Sequence, residues 1–120
     1  MPAVRTRLED TRSAVTHEFV VDGNKGYVTV GEYEDGTPGE IFIHMDKEGS
    51  TLSGFADAWA VMASVSLQYG VPISAIVAKF KHTRFEPQGL TDRPDIRPMA
   101  TSVLDYVAHW LEKRYCDNDD

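Results

Sequence analysis

Two short stretches gather most of the side chains that could do chemistry. Lys47, Gly49, Ser50, Thr51 and Ser53 combine a cation, a glycine and hydroxyls, the composition of a loop that holds an anion on free backbone amides at a helix start. The second stretch is His82-Thr83-Arg84-Phe85-Glu86-Pro87. There Arg84 can clamp a phosphate, His82 and Thr83 can donate hydrogen bonds, and Phe85 can stack on a base or plug the core. Both point to binding of a small anion such as a nucleotide. Any strand-to-helix joint also uses glycine and hydroxyls, and Lys47 precedes them where a P-loop places its lysine after its glycines.

Catalytic constellations are sparse. None of the histidines His17, His44, His82 and His109 shows the i, i+4 or short-spaced partner expected of a metal site, so no metal ligand is expected. No Gly-x-Ser-x-Gly elbow occurs, and the lone Cys116 has no CxxC partner. Nucleophilic and thiol redox catalysis therefore lack support, and no catalytic residue is assigned.

The elements that must position the two stretches are a strand over residues 40–45 and a helix of about five turns that starts at Ser50 or Thr51 and is stopped by Gly70 and Pro72. Leu52, Phe55, Ala56, Trp59, Ala60, Met62, Ala63, Val65 and Leu67 surround the helix axis, and Asp57 is the one charge among them. That pattern predicts a helix covered on most sides, the central core element. Strands over residues 16–21 and 27–34, separated by turn-rich segments, complete an antiparallel meander whose face this helix would cover. The open edges of such a sheet make self-association an expectation. Downstream, Pro72 opens a short amphipathic helix with Ile73, Ile76, Val77 and Phe80 on one side. Residues 81–97 form a loop too rich in functional groups for a mere connector. A last helix begins at Pro98 or Met99 and ends near Arg114, with Met99, Val103, Tyr106, Val107, Trp110 and Leu111 as core. The fold class predicted is α+β, a small antiparallel sheet of about three strands packed on about three helices.

With 120 residues, 42% of them hydrophobic, the chain has the size and composition of one globular domain. Its net charge of −7 argues against general nucleic-acid binding. No run is long enough to span a membrane and no leader is evident, so a cytoplasmic location is expected. Residues 1–15 read as an N-terminal arm, ordered if at all by a partner or neighbouring subunit. Residues 16–115 form the domain and residues 116–120 an acidic tail.

Clusters in a fixed order then resemble a known family: residues 10–17, Gly26-Tyr27-Val28-Thr29-Val30-Gly31, residues 39–43, residues 47–54, Gln68-Tyr69-Gly70-Val71-Pro72 and residues 81–87. Together they are similar to the C-terminal TSCPD-type domain of adenosylcobalamin-dependent ribonucleotide reductases, over roughly residues 5–114. The resemblance implies a domain that works beside a large catalytic barrel. In that family the barrel carries the radical chemistry, substrate site and cobalamin contacts, and no segment here encodes one. The family's cysteine-rich tail is likewise replaced by Cys116 and acidic residues. The resemblance therefore implies an accessory module that assists assembly or nucleotide handling with a separate reductase chain, adenosylcobalamin being held only by that barrel. The competing expectations are a non-catalytic nucleotide binder, for example a phage sponge for a host signalling nucleotide, and a purely structural homo-oligomerisation module.

Overall fold

The computed structural model describes residues 4–47 and 51–116. Strands β1 (Ala14–Val21), β2 (Asn24–Glu32) and β3 (Pro38–Met45) form an antiparallel sheet in the order β1-β2-β3. His17 lies opposite Val28, and Thr29 opposite Phe42. Because side chains alternate across a strand, Phe19, Val21, Val28, Val30, Ile41, Ile43 and Met45 share one face and are buried. Helices α1 (Thr51–Gln68), α2 (Ile73–Phe80) and α3 (Val103–Leu111) complete the α+β fold predicted from sequence. Among the described residues, no helix is long and apolar enough to cross a membrane.

Helix α3, not α1, closes the inner face of the sheet. Tyr106, fully buried, packs its ring 5.1 Å from that of Phe19, and Trp110 stacks on His17 at 5.1 Å. Helix α2 adds Ile76 and Val77 to the same core, with Ile73 and Phe80 half-buried at its border.

Helix α1 instead runs beside the free edge of β3. Ser64 Oγ accepts the Ile41 amide at 2.8 Å and sits 3.0 Å from the Ile41 carbonyl, while Gln68 Nε2 donates to the Gly39 carbonyl at 3.0 Å. Two residues of strand and four of helix each advance about 6 Å, so residues 64 and 68 match residues 41 and 39. An open sheet edge is thereby capped by side chains rather than by another strand. Small residues make this close approach possible, and the buried face of α1 is Ala56, Ala60, Ala63 and Leu67 with Gln68. The expectation of a helix covered on most sides is corrected accordingly. Phe55, Val61 and Met62 are 70%, 64% and 65% exposed, because the inward face of α1 is built mainly from alanines, with Leu67 as its one buried large apolar side chain.

The N-terminal arm is fastened by contacts with its own chain. The Thr6 amide donates to the Gln68 carbonyl at 2.8 Å, Arg5 Nε to Gln68 Oε1 at 2.7 Å, and Tyr33 Oη to the Thr6 carbonyl at 2.6 Å. Farther along, Arg12 Nε pairs with Glu40 Oε2 at 2.5 Å. Gly39 is needed beneath the arm, since a Cβ there would lie 2.7 Å from the Tyr33 ring and 3.0 Å from Leu8.

The long loop contains a two-residue ladder between β4 (Gly89–Leu90) and β5 (Met99–Ala100). This moves the start of the last helix from the predicted Pro98 or Met99 to Val103. Ser102 Oγ, accepting the Asp105 amide at 2.9 Å, fixes the new start, as an N-cap serine does. Met99 is consequently a strand residue, 54% exposed, rather than core. A π-helical turn, Glu112–Cys116, ends the described chain.

Candidate functional site

Among the described residues, Lys47 and the segment after Phe85 each line a hollow beside the β1–β2 turn. On one side, Lys47 lines a hollow of about 190 Å³ with Asn24, Lys25, Met45 and Leu52. Thr51 is exposed and Ser53 half-buried at the start of α1, whereas Gly49 and Ser50 lie outside the described residues. On the other side, Glu86, Pro87 and Gln88 line a second hollow with Asp22 and Asn24.

The segment from His82 to Phe85 is stitched into the body of the fold. Thr83 Oγ1 donates to the Phe80 carbonyl at 2.7 Å, and the Thr83 carbonyl accepts Thr101 Oγ1 at 2.9 Å. The Phe85 amide donates to the Thr101 carbonyl at 3.0 Å, and its side chain is half-buried. Arg84 is exposed and donates Nη1 to Gln88 Oε1 at 3.0 Å. His82 adopts a left-handed backbone conformation, φ +70°, which aims its amide at Asp105 Oδ1 from 2.6 Å.

Asp105 is the centre of this arrangement, although no sequence motif singles it out. Its carboxylate is wholly buried. Oδ1 accepts the His82 amide and lies 3.1 Å from His109 Nδ1; Oδ2 accepts the Thr101 amide and Arg97 Nε, both at 2.9 Å. Burial alone would raise the carboxyl pKa, but the two backbone amides, then Arg97 and the nearby His109, outweigh it and hold the group below its ordinary value of 3.8. Arg97 also donates Nη2 to His82 Nδ1 at 3.2 Å, and the His82 and His109 rings meet edge to face at 5.2 Å.

His82, Asp105 and His109 place potential ligand atoms within 4.8 Å of one another. The expectation that no histidine has a close-spaced partner is therefore corrected: Asp105 and His109 are i, i+4 on α3, and His82 reaches them from the loop. The set does not fit a cation, however. Both Asp105 oxygens already accept, and a guanidinium occupies the place a metal would take. Its chemistry is that of a satisfied buried charge tying the loop to α3. One charged residue in an otherwise buried helical stretch, Asp105 between Val103 and Tyr106, was the signal for it.

A second polar contact crosses the core. His17 Nε2 lies 2.8 Å from Tyr106 Oη, and burial, then Arg93, lowers the His17 pKa, while burial raises that of the Tyr106 phenol. On the opposite flank, the arm divides two larger clefts. One, about 500 Å³, is lined by Arg7, Leu8, Phe42, Asp57, Val61 and Val65 among others; the other, about 780 Å³, includes Tyr33, Glu34, Thr37 and Tyr69.

A three-stranded meander with its inner face closed by one helix and its edge capped by another defines a small α+β domain. The chain belongs to the TSCPD domain family, which matches residues 3–115. It is 52% identical over 116 residues to a vitamin B12-dependent ribonucleotide reductase of Rhodopirellula baltica, a match covering 97% of this chain and 11% of the relative. The reductase of the same name from Streptantibioticus cattleyicolor is 51% identical over 104 residues, 87% of this chain and 17% of the relative. That of Bradyrhizobium diazoefficiens is 45% identical over 116 residues, 97% and 9%. The chain thus spans about a tenth to a sixth of these relatives, corresponding to their C-terminal domain. No solved structure matches it.

Proposed function

We propose that this chain is an accessory module of adenosylcobalamin-dependent ribonucleotide reduction, acting on a reductase body without catalysing a step itself. The observation that supports this most is the match itself: nearly the whole chain, at about half identity, corresponds to a small C-terminal part of vitamin B12-dependent reductases. The side-chain geometry is consistent with it, since the polar groups of the His82 loop and α3 are engaged in bracing the fold. The cofactor is assigned to the reductase body. Neither of the two larger clefts is lined by a histidine or cysteine that would face a cobalt, so these residues do not fit the corrin.

The test is reconstitution. The Rhodopirellula reductase lacking the matched segment is assayed with and without this chain, with adenosylcobalamin and a thiol reductant. The chain alone is expected to reduce no ribonucleotide and the mixture to exceed the truncated reductase. Turnover by the chain alone, or no effect on the truncated reductase, would contradict the proposal. A second reading, nucleotide binding at the two loops, is favoured by Lys25 and Lys47 lining one hollow beside the start of α1. Calorimetry with mono-, di- and cyclic nucleotides decides it, with Lys47→Ala and Arg84→Ala expected to weaken any ligand that uses those loops.

A further inference from the structure

The outward arc of α1 is the largest feature of this molecule that its own residues leave unused. Phe55, Ala58 and Met62 follow one another at helical spacing on the side away from β3, and Val61 and Val65 lie next to them. Val61 and Val65 also line the 500 Å³ cleft with Phe42, which is 53% exposed on the outer face of the sheet. The apolar surface is therefore continuous from the helix onto the sheet. A patch of three or four large apolar side chains, each more than half exposed, is of the size that marks interaction surfaces, on the order of a few hundred Å². Its banks are polar: Arg7 on the arm and Asp57 on the helix, both exposed. An apolar centre with an arginine and an acid at the rim is the anatomy of a protein interface rather than of a small-ligand pocket.

The covalent layout of the relatives indicates what covers it. In the reductases the matched region is C-terminal, so most of their length precedes the segment equivalent to the arm. Here that arm forms one wall of the cleft and is pinned beside α1 by Arg5 and Thr6 on Gln68 and by Arg12 on Glu40. A reductase body joined through the arm is thus delivered to the Gln68 end of α1, within two helical turns of Val65, Val61 and Met62. We infer that the arc Phe55–Met62 of α1, with Phe42 and the arm cleft, is the surface on which this module docks a reductase catalytic body. The inference rests on the accessory role proposed above. The partner surface is expected to be apolar, with an acidic group facing Arg7 and a basic group facing Asp57.

The experiment is a titration of the chain into Rhodopirellula reductase lacking its matched segment, whose integrity is checked by adenosylcobalamin binding. The wild type is expected to bind, and Met62→Glu and Phe55→Ser each to weaken binding at least tenfold. Leu90→Glu, at a side chain 69% exposed on β4, is expected to change it less than twofold. Thermal melts of all three variants show whether folding is kept. Binding that is indifferent to both folded α1 variants overturns the docking surface and leaves the accessory role standing. A wild type that does not bind the intact truncated reductase overturns the accessory role. A self-dimer broken by Met62→Glu, with no reductase bound, gives the arc to a second copy and overturns the inference.

Discussion

Helices α1 and α3 are both rich in large apolar residues, yet the fold treats them oppositely. On α3 every large apolar residue except Leu104 is buried, and the buried Asp105 and Tyr106 have their polar atoms satisfied by His82, Thr101, Arg97 and His17. On α1, Ala56, Ala60 and Ala63 go inward and Phe55, Val61 and Met62 go outward. Hydrophobicity alone does not separate the two. The difference lies in what each helix faces. α3 crosses the face of a sheet, where large side chains interdigitate. α1 lies against a strand edge, where backbone groups must be met at close range by Ser64 and Gln68 and the alanines allow the approach. One helix completes the fold, and the other offers a surface.

This contrast can be broken at several points. The largest loss is expected from Asp105→Asn, which turns an acceptor into a donor facing Arg97 and the Thr101 amide. It should cost about 3 kcal/mol in urea unfolding, as loss of one partner from a buried charged network does. A loss under about 1 kcal/mol, the size of one ordinary hydrogen bond, would mean that the network is not what fixes the loop. The same carboxylate sets an acid limit. Its pKa is lowered on folding, so its contribution is complete above the ordinary value of 3.8 and disappears as pH falls through the lower folded value.

At the strand edge, Gln68→Ala removes the contacts to Gly39 and Arg5 and is expected to cost about 2 kcal/mol, with Ser64→Ala at about 1 kcal/mol. Both should also loosen the arm or the β3 edge, read as faster amide exchange at Thr6 and Ile41. Unchanged exchange at both amides would contradict the edge-capping role.

His17 gives a smaller, pH-dependent effect. Burial lowers its folded pKa from the ordinary 6.5, so the neutral ring is favoured in the native state. Stability should be fully present above pH 6.5 and decline on acidification toward the folded value, a slope that His17→Phe abolishes. A slope of equal size in the variant would remove His17 from the account. The smallest effect belongs to α1: Met62→Glu should change stability by no more than about 0.5 kcal/mol, because that side chain touches little of its own chain. A loss of about 2 kcal/mol, the range of core substitutions, would show that the arc is part of the core after all.

Much of this was legible in the residues. Alternation in His17–Val21 and Ile41–Met45 marked the inner face of the sheet, and Gly70, with φ +99°, ended α1 where its position suggested. Which helix would cover that face was not legible, because hydrophobic content does not report whether a helix meets a face or an edge. The small-residue spacing Ala56, Ala60, Ala63 and the polar pair Ser64 and Gln68 held that information, but their partners, Ile41 and Gly39, lie more than twenty residues away. Of the candidate residues, His82 joined a network whose other members, Arg97, Asp105 and His109, are fixed by the β4–β5 turn and the Ser102 cap. The i, i+4 pair Asp105 and His109 was within local reach, whereas the approach of His82 and Arg97 to it is a long-range consequence.

Methionine oxidation tests the contrast most directly, since the protein carries its own controls. Met62 on α1 and Met99 on β5 are 65% and 54% exposed, and Met45 is 3% exposed. In the free chain, dilute peroxide followed by mass spectrometry should oxidise Met62 and Met99 at comparable rates and Met45 far more slowly. On addition of the truncated Rhodopirellula reductase, Met62 is expected to become protected while Met99 stays reactive. Protection of Met99 with Met62 unchanged would place the contact on the β4–β5 side and contradict the assignment of α1 as the open surface.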